Sequence, residues 1–390
     1  MGAVARSVYH HALERALLPR LVRRLEGQIK GALDRPASAY PDFTYQATRV
    51  YLMLGGAGPL DAGLVREWMR LDGAALGGPV AARDRLAGHL DALLADPLPA
   101  VALDGALVER ARATFGQVSP GVRVYGRIRQ SAAAERAPAW RPRDVLGPLG
   151  APLFVRASGK PLDEAVPGFL TAAGFHGVLL PSLGPAIHAV AAESWVLGAG
   201  TGLGDDPAAL LAVEREAVRL YEAEFTRAWD ALLADLQVVP LRSVSQAAQD
   251  LFVLRSPQSP IRALLTAVAR QVSLADGAPT AGAVSSLSAR LPGPAADGRP
   301  GAAVAAHYRA LLDLVGDGPG APLDQALRSL TDVQQTLSKL AAAPLGASVP
   351  PQGDPAAALL GDAKRWAPPL GRWLQGIASD AALLQGAPAH

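Results

Sequence analysis

The sequence predicts a mainly α-helical protein of several helical subdomains, with a small β-containing segment rich in proline and glycine in the middle. Over most of the chain, apolar residues recur at three- and four-residue steps, the spacing of one helix face. Between residues 123 and 183, prolines and short apolar runs replace that pattern, and a small sheet or hairpin is expected there. At 390 residues the chain exceeds what one core usually holds, so two or three packed subdomains are expected.

Four helices are predicted in the first hundred residues. The opening helix is amphipathic, with leucines at positions 13, 17, 21 and 25 and arginines between them. Three more helices are predicted over residues 40–54, 60–71 and 81–95, and Pro97 ends the last of them. We expect these four helices to pack as one bundle.

The clearest helical pattern follows the middle segment. Asp206 is a capping residue, Pro207 suits the first helical position, and apolar residues then follow at helical spacing until Pro240. Such a helix is on the order of 45 Å long at about 1.5 Å per residue. A second capped helix is predicted from Ser259-Pro260, and three more over residues 304–315, 323–340 and 366–384.

These patterns predict five consecutive regions. They are an N-terminal helical bundle (1–120), a mixed Pro/Gly-rich segment with short strands (121–204), a long-helix subdomain (205–275), a linker (276–299) and a C-terminal helical subdomain (300–390). The linker is predicted from its high content of Gly, Ala, Ser and Pro.

Composition narrows the classes of function. Half of the residues are apolar and 18% are charged, as in a globular protein. Lys and Arg exceed Asp and Glu by two and are scattered, so we expect no nucleic-acid partner. The absence of cysteine excludes disulfides and thiolate chemistry within this sequence. The first 24 residues lack the apolar core of a signal peptide.

Residues 165–192 contain no Asp, Glu, Lys or Arg, which is long enough for a membrane-spanning helix. Seven prolines and glycines interrupt this stretch. Each is expected to break the backbone hydrogen bonds, for which lipid offers no other partner. The sequence therefore favours the buried interior of a soluble domain.

No motif in the sequence predicts a catalytic residue, a cofactor or a metal. Ser158-Gly159-Lys160 resembles the end of a phosphate loop, but Phe154 and Pro161 stand where that loop needs Gly and Ser or Thr. The glycine run at 198–204 does not fit the dinucleotide fingerprint, and we interpret it as a surface loop. The histidines lack the paired helical spacing with glutamate of zinc hydrolases, so they are expected to be ordinary core or surface residues.

Seven segments, taken in order, resemble the TssM (IcmF) family. They are LLPRLVRRLE (17–26), residues 45–54 with VYLMLG (50–55), SGKPL (158–162), VPGFLT (166–171), ESWVLG (193–198), WDALL (229–233) and SPIRALL (259–265). The signature residues, for which we expect a structural role, are Tyr51, Pro167, Gly168, Phe169, Glu193, Trp195, Gly198, Trp229, Ser259 and Pro260. We expect Trp195 to anchor the junction between the Pro/Gly-rich segment and the long helix.

The resemblance implies a structural periplasmic segment of the type VI secretion membrane complex in a Gram-negative bacterium. Its expected partners are further copies of itself in a ring, the outer-membrane lipoprotein TssJ and the inner-membrane protein TssL. Membrane contact is expected only through segments outside this chain, as is the domain that receives TssJ. The isolated chain is therefore expected to associate weakly.

Two alternatives remain open at this point. A helical hydrolase of the cell envelope would need a catalytic pair in a cleft. A ligand-binding helical domain would need polar groups that converge on an apolar pocket.

Overall fold

Helices account for most of the chain in the computed structural model, which describes residues 2–35, 41–76, 80–198, 206–275, 299–316, 320–343 and 354–386. Within these residues the strands form a single two-stranded sheet, so the mainly α prediction is confirmed. Contacts divide the chain into two compact units. Unit 1 comprises Met1–Arg123 and Ile187–Leu210, and unit 2 comprises Val124–Ala186 and Leu211–His390.

Unit 1 is helical around one apolar core. Its helices are α1 (Ala3–Ala16), α2 (Leu18–Leu33), α3 (Pro41–Leu54), α4 (Ala62–Leu76), α5 (Val80–Leu93), α6 (Gly105–Phe115) and the first part of α7 (Pro120–Arg129). The predicted opening helix is divided at Leu17, where Pro19 lies in the first turn of α2 and supplies no N–H. Leu21, Leu25 and Ile29 then bury one face of α2 in the core.

Unit 2 contains the sheet and the remaining helices. The helices are α8 (Ala132–Arg136), α9 (Pro142–Gly150), α10 (Ala172–Gly174), α11 (Leu180–Ala192), α12 (Pro207–Asp235), α13 (Val244–Leu254), α14 (Pro260–Val272), α15 (Ala302–His307), α16 (Arg309–Val315), α17 (Pro322–Arg328), α18 (Leu330–Ala342), α19 (Pro355–Ala363) and α20 (Leu370–Gly386). The C-terminal part of α11 and the first residues of α12 belong to unit 1.

The sheet corrects two predictions. Strand β1 (Phe154–Arg156) lies in the predicted middle segment, but its antiparallel partner β2 (Leu236–Val238) follows α12. The middle segment therefore does not form a hairpin of its own, and α7, α8 and α9 occupy much of it. The long helix ends at Asp235, before Pro240, because the next three residues pair with β1.

The apolar stretch after Thr171 is not broken as predicted. Helix α10, a π-helical turn (Phe175–Leu179) and α11 follow one another directly, and Pro181 and Pro185 lie inside α11. The wide π turn bonds the N–H of Leu180 to the carbonyl of Phe175 and so carries the backbone into the proline-containing part.

By length and composition, the helical stretch Ala172–Val196 could cross a membrane. Buried core helices meet the same criteria, and Phe175, Leu179 and Leu183 are buried in unit 2. The expectation that this stretch is protein interior stays a prediction.

The C-terminal helices are shorter than predicted. The pattern over 304–315 is divided between α15 and α16, and that over 323–340 between α17 and α18. Helix α19 was not predicted, and α20 begins at Leu370 instead of 366. The predicted linker (276–299) and the glycine run (198–204) lie almost wholly outside the described residues.

Candidate functional site

The signature segment at Pro167–Thr171 is a tight turn that has no room for larger side chains. Its 3-10 turn covers Gly168–Leu170, and all three residues are buried. A Cβ on Gly168 would lie 2.7 Å from the carbonyl carbon of Pro138 and closer still to the carbonyl oxygen of Ala137. Thr171 caps α10 by accepting a hydrogen bond from the N–H of Gly174 at 3.1 Å. Glycine is therefore required at position 168 for close approach of two backbones.

Helix α12 supplies an aromatic ladder, which we define as Tyr221, Phe225 and Trp229, that holds this turn. The three residues recur every four positions, are fully buried, and lie with successive ring centroids 5.9 Å apart. The Tyr221 hydroxyl donates to the carbonyl of Phe169 at 2.7 Å, and the Trp229 indole N–H donates to that of Leu170 at 2.8 Å. Burial raises the pKa of Tyr221, so its hydroxyl remains a donor.

The signature segment from Glu193 to Gly198 lies in unit 1. Glu193 is buried, pairs with the guanidinium of Arg49 at 2.8 Å, and accepts a hydrogen bond from the Tyr45 hydroxyl at 3.2 Å. Burial, and then the negative charge of Glu193, raises the pKa of Tyr45 to about 12. Gly198 has a φ of 97°, a left-handed conformation that glycine adopts without strain.

Trp195 is half-buried against the core of unit 1. A Cβ on Gly58 would lie 2.7 Å or less from three atoms of the Trp195 ring, so the backbone at Gly58 lies flat against it. The adjacent carbonyl of Val196 accepts a hydrogen bond from Arg112 Nε at 3.1 Å. The structure thus places Trp195 at the edge of the core of unit 1.

The remaining signature residues hold the ends of helices. In unit 1, the buried hydroxyl of Tyr51 donates to Glu26 at 2.8 Å and accepts from the backbone N–H of Asp104, the N-cap of α6, at 2.7 Å. In unit 2, Ser259 caps α14. Pro260 begins α14, and a Cβ on Gly150 would lie 2.7 Å from its ring.

In the turn after β1 that resembles a phosphate loop, the polar groups bond to other residues of the protein. The backbone N–H and the hydroxyl of Ser158 donate to Asp235 at 2.7 and 2.6 Å. The Lys160 ammonium pairs with Glu164 at 2.7 Å. The two bonds of Ser158 join the turn to the end of α12, beside the sheet.

An open groove of about 740 Å³ runs between α12 and α15. It brings together Asp230, His307 and the adjacent Tyr308, which sequence reasoning did not connect. His307 Nε2 lies 2.9 Å from Asp230 Oδ2, and the Tyr308 hydroxyl donates to Asp230 Oδ1 at 2.8 Å. No local spacing could have indicated this pair, because 77 residues separate its members.

Asp230, His307 and Tyr308 form a polar contact between two helices. Asp230 and His307 are each about half exposed, and the pair ties α15 to α12. Burial, and then the hydrogen bond to Asp230, raises the pKa of Tyr308, so this hydroxyl also remains a donor. The described residues contain no group of three or more His, Asp or Glu side chains that could hold a metal ion.

The signature residues therefore form two groups, one in each unit, and the side chains of Tyr51, Trp229 and Ser259 bond to backbone or cap a helix. Such a fold and such contacts define a mainly helical module in which several signature residues bond within their own unit.

The chain belongs to the IcmF-related family, described as "Intracellular multiplication and human macrophage-killing", which matches residues 1–273. The resemblance seen in the sequence is thereby confirmed. A similar protein is "Type VI secretion system component TssM1" of Pseudomonas aeruginosa, 35% identical over 93% of this chain. The chain spans 34% of the length of that relative. No solved structure matches the chain.

Proposed function

We propose that this chain is a structural segment of the type VI secretion membrane complex. In this proposal it lies in the periplasm of a Gram-negative bacterium and links an inner-membrane anchor to the outer-membrane lipoprotein TssJ. Its partners are TssL and further copies of itself in a ring. The observation that carries the proposal is the 35% identity to TssM1 over 93% of the chain.

The contacts of the signature residues support a structural role rather than a catalytic one. Gly168 and Trp229 bring two segments of backbone together, and Tyr51 and Ser259 hold helix ends. A residue that acts on a substrate needs access to it, whereas Tyr51, Trp229 and Ser259 are each at most 1% exposed.

The absence of cysteine in this sequence allows a direct test of compartment. Leu149 is 76% exposed and Ala217 is fully buried, both in unit 2. Each is replaced by cysteine in the full-length gene product, freed of other cysteines, and intact cells are treated with a membrane-impermeant maleimide. We expect Leu149→Cys to be labelled in intact cells, and Ala217→Cys only after denaturation. Labelling of Leu149→Cys only after lysis would place the chain in the cytoplasm and refute the proposal.

Assembly is tested separately on the purified chain. Tethering to membrane segments raises the effective concentration of an interface and is worth about 10²–10⁴ in avidity. Without it, we expect light scattering to show a monomer or weak association at micromolar concentration, and little binding of TssJ. A stable closed ring, or a tight one-to-one complex with TssJ, would show that the assembly determinants lie within this chain.

A further inference from the structure

The groove between α12 and α15 carries two arginines that have no partner among the residues the structure describes. Arg219 and Arg227 are exposed on the same face of α12, eight residues apart. Eight residues correspond to about 12 Å along a helix axis. Among the described residues, neither guanidinium forms a hydrogen bond or an ion pair.

The acidic side chains of the same groove are already engaged. Glu222 accepts a hydrogen bond from the backbone N–H of Gly301 at 2.7 Å, where α15 begins. Asp230 is held by His307 and Tyr308. The groove therefore offers free guanidinium donors and carboxylates that are already bonded, an asymmetry that favours a ligand rich in acceptor groups.

The lining of the groove favours a helix as its occupant. Alanines form much of its lining, namely Ala223, Ala231 and Ala234 on α12 and Ala303 on α15. Small side chains allow a second helix axis to approach closely, because the interaxial distance depends on the residues at the contact. The volume of about 740 Å³ accommodates several side chains of such a helix.

We propose that this groove docks an acidic helical segment of a partner protein, whose carboxylates, spaced two turns apart, bind Arg219 and Arg227. The alanine-rich lining favours a helix over an anionic membrane surface, which becomes an outcome of the test. This proposal does not depend on the proposed role in secretion.

The probe is a fluorescent peptide of about 20 residues, long enough to form a helix, with glutamate at every fourth position and alanine at most others. A peptide with glutamine in place of glutamate is the uncharged control. Binding to the purified chain is measured by fluorescence anisotropy at low and high salt.

Three variants locate the site. Arg219→Gln with Arg227→Gln removes both donors, and Ala223→Phe obstructs the groove without a change in charge. The matched control, Arg83→Gln with Arg85→Gln, removes two charges from exposed positions of α5 in unit 1. Circular dichroism establishes that each variant is folded.

We expect the glutamate peptide to bind and the glutamine peptide to bind at least fivefold more weakly. The groove variants should each lose about fivefold or more, and the control variant less than about twofold. Added salt should weaken binding, because these charges are exposed.

Two results would overturn the proposal. One is a glutamate peptide that fails to bind the unmodified chain or binds all variants equally. The other is stronger binding to phosphatidylglycerol vesicles than to the peptide, lost on removal of the same two arginines, which would make the groove a membrane contact instead.

Discussion

The close approach of two backbones at Gly168 leads to a prediction opposite in sign to the usual effect of alanine. Where the backbone tolerates it, glycine to alanine stabilises a protein by about 0.4–1 kcal/mol, since the unfolded chain loses freedom. At Gly168 the added Cβ would lie 2.7 Å from the carbonyl carbon of Pro138 and closer still to the carbonyl oxygen of Ala137. Both are backbone atoms, so no side-chain rotation relieves the clash.

The magnitude follows from what has to move. Carbon–oxygen contacts lie at about 3.3 Å or more, so one of the two backbone segments must shift. Overpacking of this kind costs about 1–3 kcal/mol. The shift would also strain the hydrogen bonds from Tyr221 and Trp229 to this turn, each worth about 1 kcal/mol. We therefore expect Gly168→Ala to lower the free energy of unfolding by about 3 kcal/mol.

Urea unfolding followed by tryptophan fluorescence measures this change. Gly376→Ala is the matched control, because Gly376 is exposed within α20 of the same unit and a Cβ there would meet nothing within 4 Å. We expect the control to gain up to about 1 kcal/mol from helix propensity. A Gly168→Ala variant as stable as the unmodified chain would refute the reasoning.

Three further predictions concern single side chains. Trp195→Ala should cost about 2–3 kcal/mol by thermal or urea unfolding, less than for a fully buried tryptophan because the ring is half-buried over Gly58; unchanged stability would make Trp195 an interface residue. Burial lowers the pKa of His176, so the unfolded chain binds a proton more readily than the folded chain, and the free energy of unfolding should fall as pH drops below about 6.5. His176→Gln should flatten this pH dependence. An equally steep profile in the variant would contradict the prediction. Burial raises the pKa of Glu222, so the stability it contributes at low pH is lost as pH rises through its folded pKa. Glu222→Gln, which can still accept from Gly301, should thus match or exceed the unmodified chain at pH 7, and a lower melting temperature there would count against this assignment.

Local periodicity predicted the helices well where apolar spacing and caps agree. Asp206-Pro207 and Ser259-Pro260 indicated the starts of α12 and α14, and both helices begin there. Short local signals failed where distant residues decide the structure. The pattern predicted residues 236–238 as the end of a helix, yet they form β2 because β1, 80 to 84 residues earlier, supplies the partner strand.

The sequence predicted a structural role for the signature residues but not the residues that they contact. Their roles depend on pairs such as Trp229 with Leu170, which lie 59 residues apart and follow no spacing rule. The same reason explains why the contact between Asp230 and His307 was missed. The prolines of α11 were predicted to break the helix, but the helix continues through them after a π turn that the sequence did not indicate.

The aromatic ladder has a consequence for the order in which the chain folds. The carbonyls of Phe169 and Leu170 find their donors on Tyr221 and Trp229, 52 and 59 residues later. Until α12 has formed and docked, these buried groups lack those partners, and the entropy of closing so long a loop is lost before the contacts repay it. We therefore expect the turn to acquire its native conformation after the helix. During synthesis on the ribosome, we expect it to do so only once the ladder has left the exit tunnel.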